Sequence, residues 1–285
     1  MTTTTTSAYL SIIQNLPRMQ AMTAAEPAVK TASAYYAANI GKVTSIDQFV
    51  GNYRLLSYAL DAYGLGDQIN STALIKQVLT GGVANPKSLA NTLPQWKAFA
   101  TAFNFAADGA ASISTAAAVA TTKTNYVEQQ LENDQGQQDV GVQLALYFNR
   151  VAPTVTSTYG ILADQNLLQV VETIFGLPTS FSAENIDTQA SSLSNFFNVK
   201  DLQDPAKLKQ LTERFTASYD STYGPASGST ASLTVAGSSS SSSSSAATTI
   251  LSGVISNTAS SLSTSTSPYF SNSLMESLQG FKIGG

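Results

Sequence analysis

The chain has 285 residues and a formal net charge of −4, with only 11% charged residues and neither cysteine nor histidine. That length can bury a real core in one or two domains, while the missing residue types exclude disulfides, thiolate chemistry, the usual general base and the commonest metal ligand. Lys and Arg are scattered, so nucleic acid and anionic membrane find no electrostatic footprint, and no apolar run approaches the roughly 20 residues of a bilayer span.

The N-terminal segment, 1–26, opens on Thr2 to Thr6, which are expected to fray. It lacks the charged and apolar regions of a secretory signal. From Tyr9 to Met22, residues Leu10, Ile12, Ile13, Leu16 and Met19 form an apolar helical stripe.

From residue 27 onward a segment recurs at an offset of 112 residues. Ala34-Tyr35-Tyr36 falls on Leu146-Tyr147-Phe148, Val43-Thr44-Ser45 on Val155-Thr156-Ser157, Leu55-Leu56 on Leu167-Leu168 and Gly64-Leu65 on Gly176-Leu177. Beyond it, Ile75, Val78 and Leu79 match Leu193, Phe196 and Phe197 in apolar character, Asn85-Pro86 answers Asp204-Pro205, and Phe99 to Phe103 answers Phe215 to Tyr219. Ser45 or Asp47, and Ser157, are expected to cap helix starts, and Gly64 and Gly176 to close a helix of about five turns. Pro86 and Pro205 each predict the start of a further helix.

The expected fold is therefore all-α: two internally duplicated four-helix units, 27–108 and 139–220, joined by a helical connector over 109–138. In the connector, Asn125 to Glu132 predicts a polar helix. Its acids Glu128 and Glu132, with Asp134 and Asp139, lack the spacing of a calcium loop and are expected on a solvated face. Asp164 and Glu172 are likewise expected at the surface, and Trp96 in the core.

Residues 221–249 should form a flexible linker, with eight serines at 238–245. The tail, 250–285, regains apolar spacing at Leu251, Val254 and Ile255, then at Leu274, Met275, Leu278 and Phe281. Such a stripe either packs back on its own chain or docks on a partner. The sequence leaves both open. The same holds for the N-terminal stripe, so Leu10, Ile13, Leu16, Leu274, Met275, Leu278 and Phe281 are the candidate partner-binding residues.

No catalytic, cofactor-binding or metal site is expected. Gly64-Leu65-Gly66 begins like a dinucleotide fingerprint but has Ile69 in place of the third glycine, and no strand precedes it. A helix C-cap explains it better.

The stretches AYYAANIGKVTSIDQF (34–49), KAFATAFNF (97–105), LALYFNR (144–150), ILAD (161–164) and LTERF (211–215) resemble the bacterial domain-of-unknown-function family twelve-seventeen. The resemblance spans about Tyr9 to Tyr219. Members of that family are described as flagellar or flagellum-associated proteins of alphaproteobacteria. The resemblance thus implies a motility setting and supplies no catalytic residue. It suggests a non-enzymatic structural or assembly protein, exported by a flagellar type III route and acting on other protein subunits, through self-assembly or flagellar components. A cytoplasmic helical adaptor or chaperone-like module is the alternative. An enzyme working through carboxylates alone is the remote third reading.

Overall fold

A computed structural model describes residues 4–91, 94–178 and 180–224, and residues up to Tyr223 belong to one compact unit. The expected serine-rich linker, beyond its first residues, and the apolar tail lie outside the described residues. Among those described, the structure is all-α, with no strand.

The first helices are α1 (Thr5–Gln14), α2 (Leu16–Ala25) and α3 (Pro27–Asn39). Thr4 to Thr6 are not frayed. Thr4 accepts from the Ser7 amide at the start of α1, and the amides of Thr5 and Thr6 donate to Asp220 at 2.7 and 3.0 Å. The Thr6 hydroxyl adds a bond to Asp220 at 2.6 Å, and the Thr5 hydroxyl donates to Asp139 at 2.8 Å. A distant carboxylate thus satisfies amides that a helix start leaves open, a contact that no local sequence signal announces.

The chain continues through α4 (Ile46–Gly51), α5 (Tyr53–Ala62), α6 (Thr72–Gly81), α7 (Pro94–Ala102) and α8 (Phe105–Asp108). The expected five-turn helix is instead two helices, because Asn52 turns out of the helix and caps α5 by accepting from the Leu55 amide. Nor does a helix begin at Pro86. Asn85 accepts from the Lys87 amide, and the Asn91 side chain donates to the carbonyls of Val83 and Asn85, stitching a loop that delays the helix to Pro94.

After a 3-10 segment at Gly109–Ser114, α9 (Ala116–Gly136) is the longest helix among the described residues, and the expected helix over 125–132 is its C-terminal part. Then come α10 (Val140–Val151), α11 (Thr158–Leu162), α12 (Gln165–Phe175), α13 (Ile186–Phe196) and α14 (Pro205–Tyr223).

Residues at the 112-residue offset play matching local roles. Ser45 and Ser157 cap α4 and α11, while Asn52 and Asp164 cap α5 and α12. Gly64 and Gly176 have φ of +70° and +62°, and each lets the following leucine amide reach back, Leu65 to Leu60 and Leu177 to Glu172. That left-handed turn is open to glycine at little cost. In the last helices the burial pattern keeps the same offset: Trp96, Ala100 and Phe103 on one side, Leu208, Thr212 and Phe215 on the other. The register read from sequence, with Phe99 facing Phe215, also pairs buried residues, Trp96 with Thr212 and Ala100 with Thr216.

Two hydrophobic clusters result. One joins α3 to α8 around Phe49, Leu55, Leu60, Phe99 and Phe103; the other joins α1 and α10 to α14 around Tyr9, Phe148, Val170, Leu193 and Phe215. Helix α9 packs against α5 on one side and α10 on the other, and also against α2. Trp96 is buried in the first cluster as expected. Among the described residues no helix is long and apolar enough to cross a membrane.

Candidate functional site

Where α1 and α2 cross α9 and α10 a cleft of about 350 Å³ opens. Its walls are apolar: Ile13 and Leu16 from the N-terminal helices, Leu131 from α9 and Leu146 from α10. Between these walls lie Gln20, Glu128, Glu132, Asn149 and Arg150. The helix periods explain the mixture, since α10 buries Leu144, Phe148 and Val151 in the core and turns Leu146, Asn149 and Arg150 to the cleft.

Two of the charged groups at the cleft, Arg150 and Glu132, are already paired. Arg150 Nε donates to Glu132 Oε1 at 2.6 Å and its Nη2 to Glu132 Oε2 at 2.8 Å, with a third bond to Gln129 Oε1 at 2.7 Å. Burial works against the Arg150 charge, but the bonds and charge of Glu132 outweigh it and hold the guanidinium above its ordinary value. Glu132 is only 3% exposed, so the solvated face expected for the connector acids is wrong at this position. The reason is tertiary: α10 brings a guanidinium that a single helix does not have. Glu128 has only Gln20 bonded to it, at 3.1 Å, and burial raises its pKa above the ordinary carboxylate value despite the attraction of Arg150.

Behind the cleft the polar contacts continue. Arg150 lies 5.5 Å from the centre of the Tyr147 ring, and the Tyr147 hydroxyl donates to Asp164 Oδ2 at 2.6 Å. Gln95 of α7 donates to both, at 2.6 and 2.5 Å, while the other Asp164 oxygen accepts the amides of Asn166 and Leu167 at 3.0 Å each. Asp164 is therefore not at the surface but 4% exposed. Burial raises its pKa against those bonds, and pushes that of Tyr147 well above its ordinary value with the charge of Asp164 adding to the effect. Gln95 Oε1 is buried without a partner. This network joins α7 to α10 and α12, the two hydrophobic clusters meeting on polar groups that, Gln95 Oε1 apart, satisfy one another.

Of the sequence-predicted site residues, Ile13 and Leu16 line the cleft, and Leu10 is half-buried against the second cluster. Leu274, Met275, Leu278 and Phe281 lie outside the described residues. Sequence reasoning missed Leu131, Leu146, Glu128 and Arg150. The one available signal was Arg150 in the otherwise uncharged helix Val140–Val151. Among the described residues no three acidic side chains come together as a metal site.

Comparison with known proteins places this geometry in context. No curated protein matches the chain. A crystal structure of a protein from Agrobacterium tumefaciens is similar, with a TM-score of 0.70 and 39% identity over 77% of this chain and 96% of that one. The family model described as "Protein of unknown function (DUF1217)" matches residues 62–208, from the end of α5 into α14, and the chain belongs to that family.

Proposed function

We propose that this chain is a non-enzymatic structural or assembly protein of the bacterial flagellum, exported and acting through contacts with other protein subunits. The observation that carries the reading is the cleft between the N-terminal helices and α9–α10. Its apolar walls offer a place for a partner's side chains, and its buried ion pair is satisfied in advance, so a partner need not supply a countercharge there. The low charge, the absent cysteine and histidine, and the motility setting implied by the family resemblance support the same reading. The matching caps at the 112-residue offset support a further element of it, that the two helical clusters descend from one duplicated unit.

Sheared flagellar filaments and culture supernatant should contain the protein. Recovery from cytosol alone, in cells whose export apparatus is intact, refutes the reading. The cleft also favours a second reading, a cytoplasmic helical adaptor gripping its partner there. In that case Leu16→Glu abolishes capture of the partner from lysate while the protein stays inside the cell.

A further inference from the structure

A second pocket, of about 160 Å³, lies on the other half of the fold, among α3, α5 and α9. Its floor is Tyr58, stacked between Tyr36 at 4.5 Å and Tyr126 at 4.0 Å, with its hydroxyl held at 2.9 Å from that of Ser33. Tyr126 and Tyr53 form walls, and Tyr53 is 67% exposed, a large aromatic side chain that the core does not use. Asp61 lines it too, with Arg54, Tyr35 and Ser57.

The chemistry of this pocket is unbalanced. Asp61 is half-buried, receives only a 3.4 Å bond from the Ser57 hydroxyl, and forms no ion pair among the described residues. Burial raises its pKa, and the charge of Asp67 adds to that. The cation of the lining, Arg54, is turned onto the face of Tyr35, 3.7 Å from the ring centre, and is engaged there. An anion drawn to Arg54 would meet the Asp61 carboxylate. A cation drawn to Asp61 meets a carboxylate without an ion pair beside the exposed Tyr53 ring, and aromatic rings attract cations through their quadrupole. The volume is below the roughly 300 Å³ at which pockets for whole cofactors begin and suits a single head group.

We propose that this pocket binds an organic cation, a guanidinium or alkylammonium head group, with Asp61 as its counter-ion and Tyr53 and Tyr126 as its aromatic walls. The head group is carried either by a free small molecule or by an arginine or lysine side chain of a partner protein.

The test is ligand titration of the full chain followed by NMR, with free arginine, N-acetyl-arginine methylamide, a short peptide containing one arginine, and the citrulline counterparts of all three. The expected result is saturable binding of the arginine probes, with citrulline binding about tenfold weaker or not at all. Tighter binding of the peptide than of free arginine supports a protein side chain as the source, and the reverse supports a small molecule. Asp61→Asn and Tyr53→Ala should each weaken arginine binding about tenfold. Tyr53 is mostly exposed, so its variant reads the site even where Asp61→Asn impairs folding. Equal binding of citrulline, binding of a neutral disaccharide in place of the cations, no binding of any probe, or unchanged binding in folded variants overturns the proposal.

Discussion

Replacing Arg150 by methionine removes the guanidinium and keeps most of the apolar stem. Glu132, whose side chain is 4% exposed, is then left with a charge and no cation, while the Arg150 side chain was itself only 20% exposed. Breaking one partner of a buried pair costs about 3–5 kcal/mol, because the remaining ion keeps its desolvation penalty without the Coulombic return. For a folded unit of this size each kcal/mol moves the midpoint by about 2–4 °C, so Tm should fall by about 6–20 °C. The double variant Arg150→Met with Glu132→Leu removes both charges and should recover a large part of that loss, since an apolar pair of similar volume is often neutral in such a position. Urea unfolding followed by far-ultraviolet circular dichroism gives the free energies. A single variant within about 1 kcal/mol of the parent, or a double variant less stable than the single, refutes the claim that the pair is buried and interdependent.

Phe103→Ala, which empties space beside Phe49 and Phe99, should cost about 3–5 kcal/mol in the same urea assay. Gly176→Ala forces a side chain into the left-handed turn after α12 and should cost about 1–2 kcal/mol, by the same measurement. Burial tends to raise the Asp220 carboxyl, but the bonds from the Thr6 hydroxyl and from the amides of Thr6 and Thr5 outweigh it and hold the group below its ordinary value of 3.8. A depressed folded-state value means stability that is present above pH 3.8 and lost as pH falls through the lower folded value. Asp220→Asn should therefore lower Tm above that range and leave it close to the parent's once Asp220 of the parent is protonated, as differential scanning calorimetry across pH would show. Amide exchange of α1 should quicken in the same variant, since its first turn loses the carboxylate.

Much of the helical framework was legible because its signals are local. A capping serine, a left-handed glycine and an apolar stripe act within a few residues of themselves, which is why Ser45, Ser157, Gly64 and Gly176 play their expected parts. The spacing of 112 residues was legible for the same reason, as far as the caps reach. The helix start expected at Pro86 was misplaced, since Asn85-Pro86 looks like a cap and is instead a loop tied by Asn91.

Of the candidate site, the sequence marked Ile13 and Leu16 through their helical stripe, but not the surface opposite them. By itself it determined the all-α character of the described residues, a handful of helix ends, and the lack of cysteine and histidine chemistry, all consequences of residue type and short-range geometry. Only the tertiary structure decided that Thr5 and Thr6 are held by Asp220, that Glu132 is buried against Arg150, and that Asp164 sits inside a network with Tyr147 and Gln95. Each of these depends on a partner far along the chain. Whether a carboxylate is solvated or buried follows from what packs over it, and a helix's own sequence does not contain that.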